Sequence, residues 1–116
     1  MESREAGKIF EALASEVRLD AFRLLVRYAP DGLVAGDIAR LLKLPATNLS
    51  FHLKGLVQSG LVTVEREGRF QRYRASIPLM LEIIAYLTAE CCSGKPECCR
   101  KLREASGIAP EFFKAP

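Results

Sequence analysis

The chain has 116 residues, 49% of them apolar and 27% charged, with a formal charge of +3. That length supports one hydrophobic core without reaching the size at which chains divide, and the composition excludes a disordered tail or a collagen-like repeat. The most apolar stretch, LMLEIIAYLTA, carries Glu82 and is too short to span a bilayer, so a single domain over residues 1–116, cytoplasmic and with no membrane partner, is expected.

The N-terminal MESREAGKIFEALASEVRL mixes charges throughout, unlike a signal peptide. Within it and beyond, Ile9, Leu13 and Val17, then Leu24, Leu25 and Tyr28, recur at helical spacing. Two helices are predicted with a break near Ala14 to Glu16, the second capped by Ser15. APDGL is a turn by its proline and glycine.

VAGDIARLLKL then predicts a short helix with Ile38, Leu41, Leu42 and Leu44 apolar, stopped by Pro45. ATNLSFHLKGLVQSG predicts another, in which Leu49, Leu53, Leu56 and Val57 form one stripe and Gly60 supplies the C-terminal stop. Two short helices joined by a tight turn over 33–60 are a helix-turn-helix. Over 61–75, LVTVER and RFQRYRA alternate about Glu67 and Gly68, a hairpin with Val62, Val64, Tyr73 and Ala75 facing inward. A basic hairpin behind a helix-turn-helix is a wing, so the fold class is mostly α with a small β-hairpin.

Charge supports this organisation. From Leu33 to Pro78 seven cations, Arg40, Lys43, Lys54, Arg66, Arg69, Arg72 and Arg74, face three anions, Asp37, Glu65 and Glu67, placing the basic excess where an anionic partner such as DNA would be met. With the leucine stripe turned to the core, a rotation of about 100° per residue puts Thr47, Asn48, Phe51 and Lys54 on the opposite face, with Ser50 and His52 on its shoulders. These suit a recognition helix reading base edges in the major groove, and Arg66, Arg69, Arg72 and Arg74 suit phosphate or minor-groove contact.

Over 78–103, PLMLEIIAYLTAECC leaves almost no polar face, and a helix apolar on nearly all sides needs a second partner surface, most simply another subunit. All four cysteines, Cys91, Cys92, Cys98 and Cys99, follow within nine residues. In a reducing compartment such a cluster points to a metal or redox site over a structural disulfide. Adjacent cysteines, about 3.8 Å apart at Cα, fall below the disulfide range of roughly 4.4–6.8 Å. Cys91 is expected to continue the helix, with Gly94 and Pro96 turning the chain back, and Lys95, Arg100 and Lys101 favouring thiolates. Thiolates select soft ions. Zinc or cadmium would take four, yet structural zinc normally uses pairs separated by a short loop, whereas trivalent arsenic or antimony takes three in a pyramid. With one histidine, no glycine-rich phosphate loop and no acid–base pair, neither an enzyme nor an organic cofactor is expected.

ALASEVRLDAFRLL and NLSFHLKGLVQSGLVTVEREGRFQRYRAS together resemble the arsenic-repressor (ArsR/SmtB) family of winged-helix transcription factors, over about residues 7 to 90. The resemblance implies a homodimer joined through its first and last helices. It implies repression of double-stranded operator DNA, contacted by the helix beginning near Ala46 and by the wing, until a metal or metalloid inducer binds. The Cys-Val-Cys motif of founding members is absent, since Val34, Ala35 and Gly36 stand there. An atypical branch carries an adjacent cysteine pair and a third six residues after the second, the spacing of Cys91, Cys92 and Cys98, leaving Cys99 extra. Trivalent arsenic (arsenite) or antimony is the expected inducer, with zinc or cadmium sensing and thiol redox sensing as alternatives.

Overall fold

The computed structural model describes residues 1–109; the side chains of Pro96 and Cys98, and the tail containing Phe112 and Phe113, lie outside the described residues. The chain, read from sequence as one domain, divides into two compact units, Met1–Met80 and Leu81–Pro116.

In the first unit, α1 (Ser3–Ala12) and α2 (Glu16–Arg27) are separated at the expected break. The Ser15 side chain accepts a hydrogen bond from the Arg18 amide at 3.4 Å, satisfying one of the amide groups a helix start leaves open. The strand β1 (Leu33–Val34) leads into α3 (Ala35–Leu42), which ends at Lys43 in a left-handed conformation, φ 55°. Pro45 then opens α4 (Ala46–Ser59), closed by left-handed Gly60. This is the predicted helix-turn-helix.

Leu49, Leu53 and Leu56 of α4 are buried with Ile38 of α3, Phe22 and Leu25 of α2, and Ile9 of α1. The strands β2 (Val62–Glu67) and β3 (Phe70–Ala75) form the wing. Their register pairs Val62 with Ala75 and Val64 with Tyr73, placing the expected residues on one face. Val64 nevertheless stays 42% exposed while Val62 is buried, a correction to the sequence reading: alternation specifies a face, not whether a helix covers it.

The hairpin is also one strand short of the sheet observed. β1 joins β3 antiparallel, Leu33 opposite Tyr73 and Val34 opposite Arg72, giving the order β1-β3-β2. Two residues are too few for alternation to be legible.

The last helix of this unit, α5, spans Ile77–Thr88 and runs into the second unit. At its start the Ser76 amide donates to the Leu61 carbonyl at 2.7 Å, and the Met80 amide to the Ser76 carbonyl at 3.1 Å. The N-terminus of α5 is thereby fastened to the residue that follows Gly60, the end of α4.

The second unit continues with two 3-10 turns, Cys91–Gly94 and Pro96–Cys99, and α6 (Arg100–Ser106). Cys91 does not continue α5 as expected. The helix stops at Thr88, and Glu90, Cys92 and Ser93 adopt left-handed φ of 57°, 55° and 56°, followed by Gly94 at 76°. Side chains rarely adopt this conformation, so the cysteines sit on a tight backbone turn, not on a helix face.

Candidate DNA-binding surface and cysteine centre

On α4, Thr47, Asn48, Ser50, Phe51 and Lys54 are all exposed, as the turn-by-turn rotation demands once the leucines are buried. Phe51 is 70% exposed, an apolar ring with no core role. His52 differs, being part-buried: its Nδ1 lies 3.4 Å from Arg18 Nη1, and its ring meets Phe51 edge-on with centroids 5.5 Å apart. The α4 N-terminus has no side-chain cap, which leaves its first amide groups open to an anion.

The four wing arginines divide into two pairs. Near the turn, Arg66 Nε donates to the Gly68 carbonyl at 3.0 Å and the Arg69 guanidinium lies 5.5 Å from the Phe70 ring centroid. Arg72 Nε donates to both Glu67 carboxylate oxygens at 3.0 and 2.9 Å, while Arg74 pairs with Glu65 at 3.2 Å and Glu67 at 3.8 Å. The inner pair is thus largely neutralised by cross-strand carboxylates, an outcome register alone decides. Cationic charge without a carboxylate partner among the described residues is left to Arg66 and Arg69.

In the second unit the turn folds the chain back on itself. The sulfurs of Cys91, Cys92 and Cys99 all lie within 4.8 Å of one another, and no histidine, aspartate or glutamate among the described residues joins them. The Cys91 and Cys92 sulfurs are 3.9 Å apart and those of Cys92 and Cys99 2.9 Å apart. All three are free thiols and part-buried. A central ion about 2.3 Å from each sulfur would hold them about 3.8 Å apart, so modest movements complete a three-sulfur cage.

A helix-turn-helix domain model matches residues 13–65, and no curated protein sequence matches the chain. Among solved structures, reduced HlyU from Vibrio cholerae N16961 is 30% identical over 73% of this chain and 90% of its own, with a TM-score of 0.59. An ArsR-like transcriptional regulator from Rhodococcus sp. RHA1 is 28% identical over 91% of this chain and 93% of its own, with a TM-score of 0.63. The chain belongs to the ArsR family of winged helix-turn-helix transcriptional regulators. A further relative, the winged helix-turn-helix domain Mb0332 from Mycobacterium bovis, a possible ArsR-family regulator, is homodimeric; it is 26% identical over 72% of this chain and 80% of its own, with a TM-score of 0.59.

The cysteine centre of this ArsR-family chain is electrostatically asymmetric. Cys99 accepts a hydrogen bond from Cys92, which lowers its pKa, and the Arg103 guanidinium, 2.9 Å away, lowers it further. Donating that bond to Cys99, together with burial and its contact with Cys91, pushes Cys92 up to about 12. Of the two sulfurs, Cys99 is thus the one whose thiolate is favoured and Cys92 the one that holds its proton more tightly. The sequence points to Lys95, Arg100 and Lys101 as the supporting cations and does not single out Arg103. The signal was present, since Arg103 stands four residues after Cys99 and α6 brings such positions onto one face.

Thiolates, not thiols, are the nucleophiles, so Cys99 is expected to react with iodoacetamide at lower pH than Cys92. Because its pKa is depressed, the thiolate persists as pH falls until that lowered value is passed. In Arg103→Met the midpoint of the Cys99 reactivity profile should move up, read by mass spectrometry of the alkylated peptide. An unmoved midpoint would mean that Arg103 does not act on the thiolate.

Proposed function

We propose that this protein is a metalloid-responsive repressor: a cytoplasmic homodimer that binds double-stranded operator DNA and releases it when trivalent arsenic or antimony is captured by Cys91, Cys92 and Cys99. One observation carries the reading: three sulfurs converge, and no histidine, aspartate or glutamate among the described residues joins them. Soft thiolates in threes suit a pyramidal, thiophilic ion, whereas zinc or cadmium prefers a fourth ligand. Cys99 joins Cys91 and Cys92 among the described residues, and the side chain of Cys98, to which the spacing points, lies outside them. X-ray absorption of arsenite-loaded protein tests this directly. Three sulfur neighbours are expected around arsenic in the wild type and in Cys98→Ser; oxygen or nitrogen in the first coordination sphere of the wild type would count against the cage.

The homodimer reading rests on apolar surface. Phe10 of α1 and Leu81 and Leu87 of α5 are substantially exposed, Leu87 at 61%, and burying such side chains contributes roughly 1.5–3 kcal/mol each. The homodimeric relative supports the same reading. Two subunits would present two α4 helices to successive major grooves, as paired recognition helices do. Thr47, Asn48, Ser50, Phe51, His52 and Lys54 would face the bases and flanking phosphates, and the wing would follow the backbone.

Capture would open the Cys92–Cys99 contact from 2.9 Å and draw in the wider pairs, re-forming the turn directly after α5. Ser76, the residue before that helix, donates its amide to the carbonyl of Leu61, two residues past the end of α4, and this is the proposed route to the recognition helix. A coupling of about 1–3 kcal/mol corresponds to roughly 5- to 150-fold weaker operator binding.

Among the wing arginines, Arg69 and Arg66 would make the phosphate contacts. Arg69→Ala is expected to weaken operator and unrelated DNA by similar factors and to reduce the slope of log affinity against log salt by about 1. A loss confined to the operator would instead assign Arg69 to base reading.

The 2.9 Å contact between Cys92 and Cys99 also favours a second reading, a thiol-redox switch in the same turn. Release of operator by a peroxide, with none by arsenite or antimonite, would select it.

A further inference from the structure

Arg18 lies at the start of α2, yet its side chain reaches the recognition helix. Its Nε donates to the Ala12 carbonyl at the end of α1, at 2.6 Å, and its Nη1 approaches His52 Nδ1 at 3.4 Å. The stem passes Gly55, one turn beyond His52, where an added Cβ would lie 3.5 Å from Arg18 Cδ. The guanidinium is therefore anchored at one end by backbone and presented to the imidazole at the other.

Arginine carries donors only and does not lose its proton in proteins. Nδ1 of His52 is accordingly the acceptor, and a neutral ring so held carries its proton on Nε2. No other polar partner of His52 occurs among the described residues, and its neighbours on α4, Ser50, Phe51 and Lys54, are exposed.

We infer that Arg18 is a positioning residue that fixes the tautomer of His52, so that the recognition helix offers Nε2–H as a fixed donor to an acceptor atom of DNA. The inference rests on the reading of α4 as the DNA-contacting helix. The acceptor chemistry is shared by a phosphate oxygen and by purine N7 or O6, both open in the major groove. Since Arg18 also bonds the last turn of α1, the orientation of this donor is tied to a helix implicated in dimerisation.

Two measurements test it. Nitrogen-15 NMR of the free protein at pH 8 reports the tautomer without any DNA; the expected signature is Nε2 protonated and Nδ1 unprotonated, becoming a mixture in Arg18→Met and restored in Arg18→Lys. A purely structural role for Arg18 would leave the tautomer unchanged on substitution. The second uses amides as ring surrogates in anisotropy titrations with operator and scrambled duplexes: His52→Gln places its amide near Nε2, His52→Asn near Nδ1. His52→Gln is expected to bind operator within about threefold of wild type and His52→Asn about tenfold more weakly, roughly 1.4 kcal/mol.

A deficit of His52→Asn shared by both duplexes would assign the acceptor to phosphate, and one confined to the operator to a base. An Nδ1-protonated ring in the wild type, or equal binding by the two amide variants, would overturn the proposal. Loss of DNA binding in all proteins, wild type included, would sink the reading of α4 while leaving the tautomer result standing.

Discussion

Cys92→Ser is expected to bind operator DNA as the wild type does and to keep it bound in arsenite. Cys92 is the centre of the cluster, its sulfur 3.9 Å from Cys91 and 2.9 Å from Cys99, and it donates the hydrogen bond that lowers the pKa of Cys99. Serine replaces one of the three sulfurs that converge among the described residues with a hard hydroxyl, a poor ligand for a thiophilic ion. The expected loss is the whole inducer response, up to roughly 150-fold in operator affinity if the coupling is about 3 kcal/mol. Fluorescence anisotropy under reducing conditions measures it, and arsenite-induced release by Cys92→Ser at wild-type concentrations would remove Cys92 from the site. The companion variant Cys98→Ser should respond like the wild type if Cys91, Cys92 and Cys99, the sulfurs that converge among the described residues, are the ligands.

Gly32→Ala is expected to cost about 3 kcal/mol of stability or more, a size reserved for strained or overpacked positions. Gly32 is buried with φ of +72°, and a Cβ there would overlap the Tyr73 carbonyl and the Arg74 side chain. The left-handed conformation alone costs roughly 1–2 kcal/mol for alanine, and relieving the overlap requires β1 to part from β3. The Gly32 carbonyl also receives Arg72 Nη1 at 3.4 Å, so the wing loosens with the turn. Gly68 provides the control: its φ is +62° but nothing lies within 4 Å of an added Cβ, and Gly68→Asn should cost under about 1 kcal/mol, since asparagine tolerates this region. Urea denaturation of the two variants separates them; similar midpoints would mean that the close approach to Tyr73 is not a constraint.

The helices were legible because their determinants are local. Leucine spacing in α4, a serine before α2 and a glycine after α4 each act within a few residues, and the structure places them as the pattern requires. The cysteine cluster was visible as near neighbours in sequence, but spacing pointed to Cys98 and did not show that the sulfur of Cys99 meets those of Cys91 and Cys92. What escaped depends on contacts between distant residues or on which faces are covered. β1 is too short to show a period, and its partner lies about forty residues away. His52 reads as an exposed shoulder residue until Arg18, thirty-four residues earlier, is seen beside it. Arg72 and Arg74 look like free cations until the register brings Glu65 and Glu67 opposite or diagonal to them. The left-handed turn at Glu90, Cys92 and Ser93 has no composition signal, because these residue types seldom adopt it.

Filling the cysteine cage is proposed to release DNA. It is tested most directly by titrating the reduced wild-type protein, bound to a fluorescent operator duplex, with arsenite and in parallel with zinc. Arsenite is expected to lower operator affinity at least fivefold at concentrations where zinc leaves it unchanged. Unchanged operator affinity at saturating arsenite, with DNA binding intact, would mean that the cysteines do not couple arsenic to DNA release.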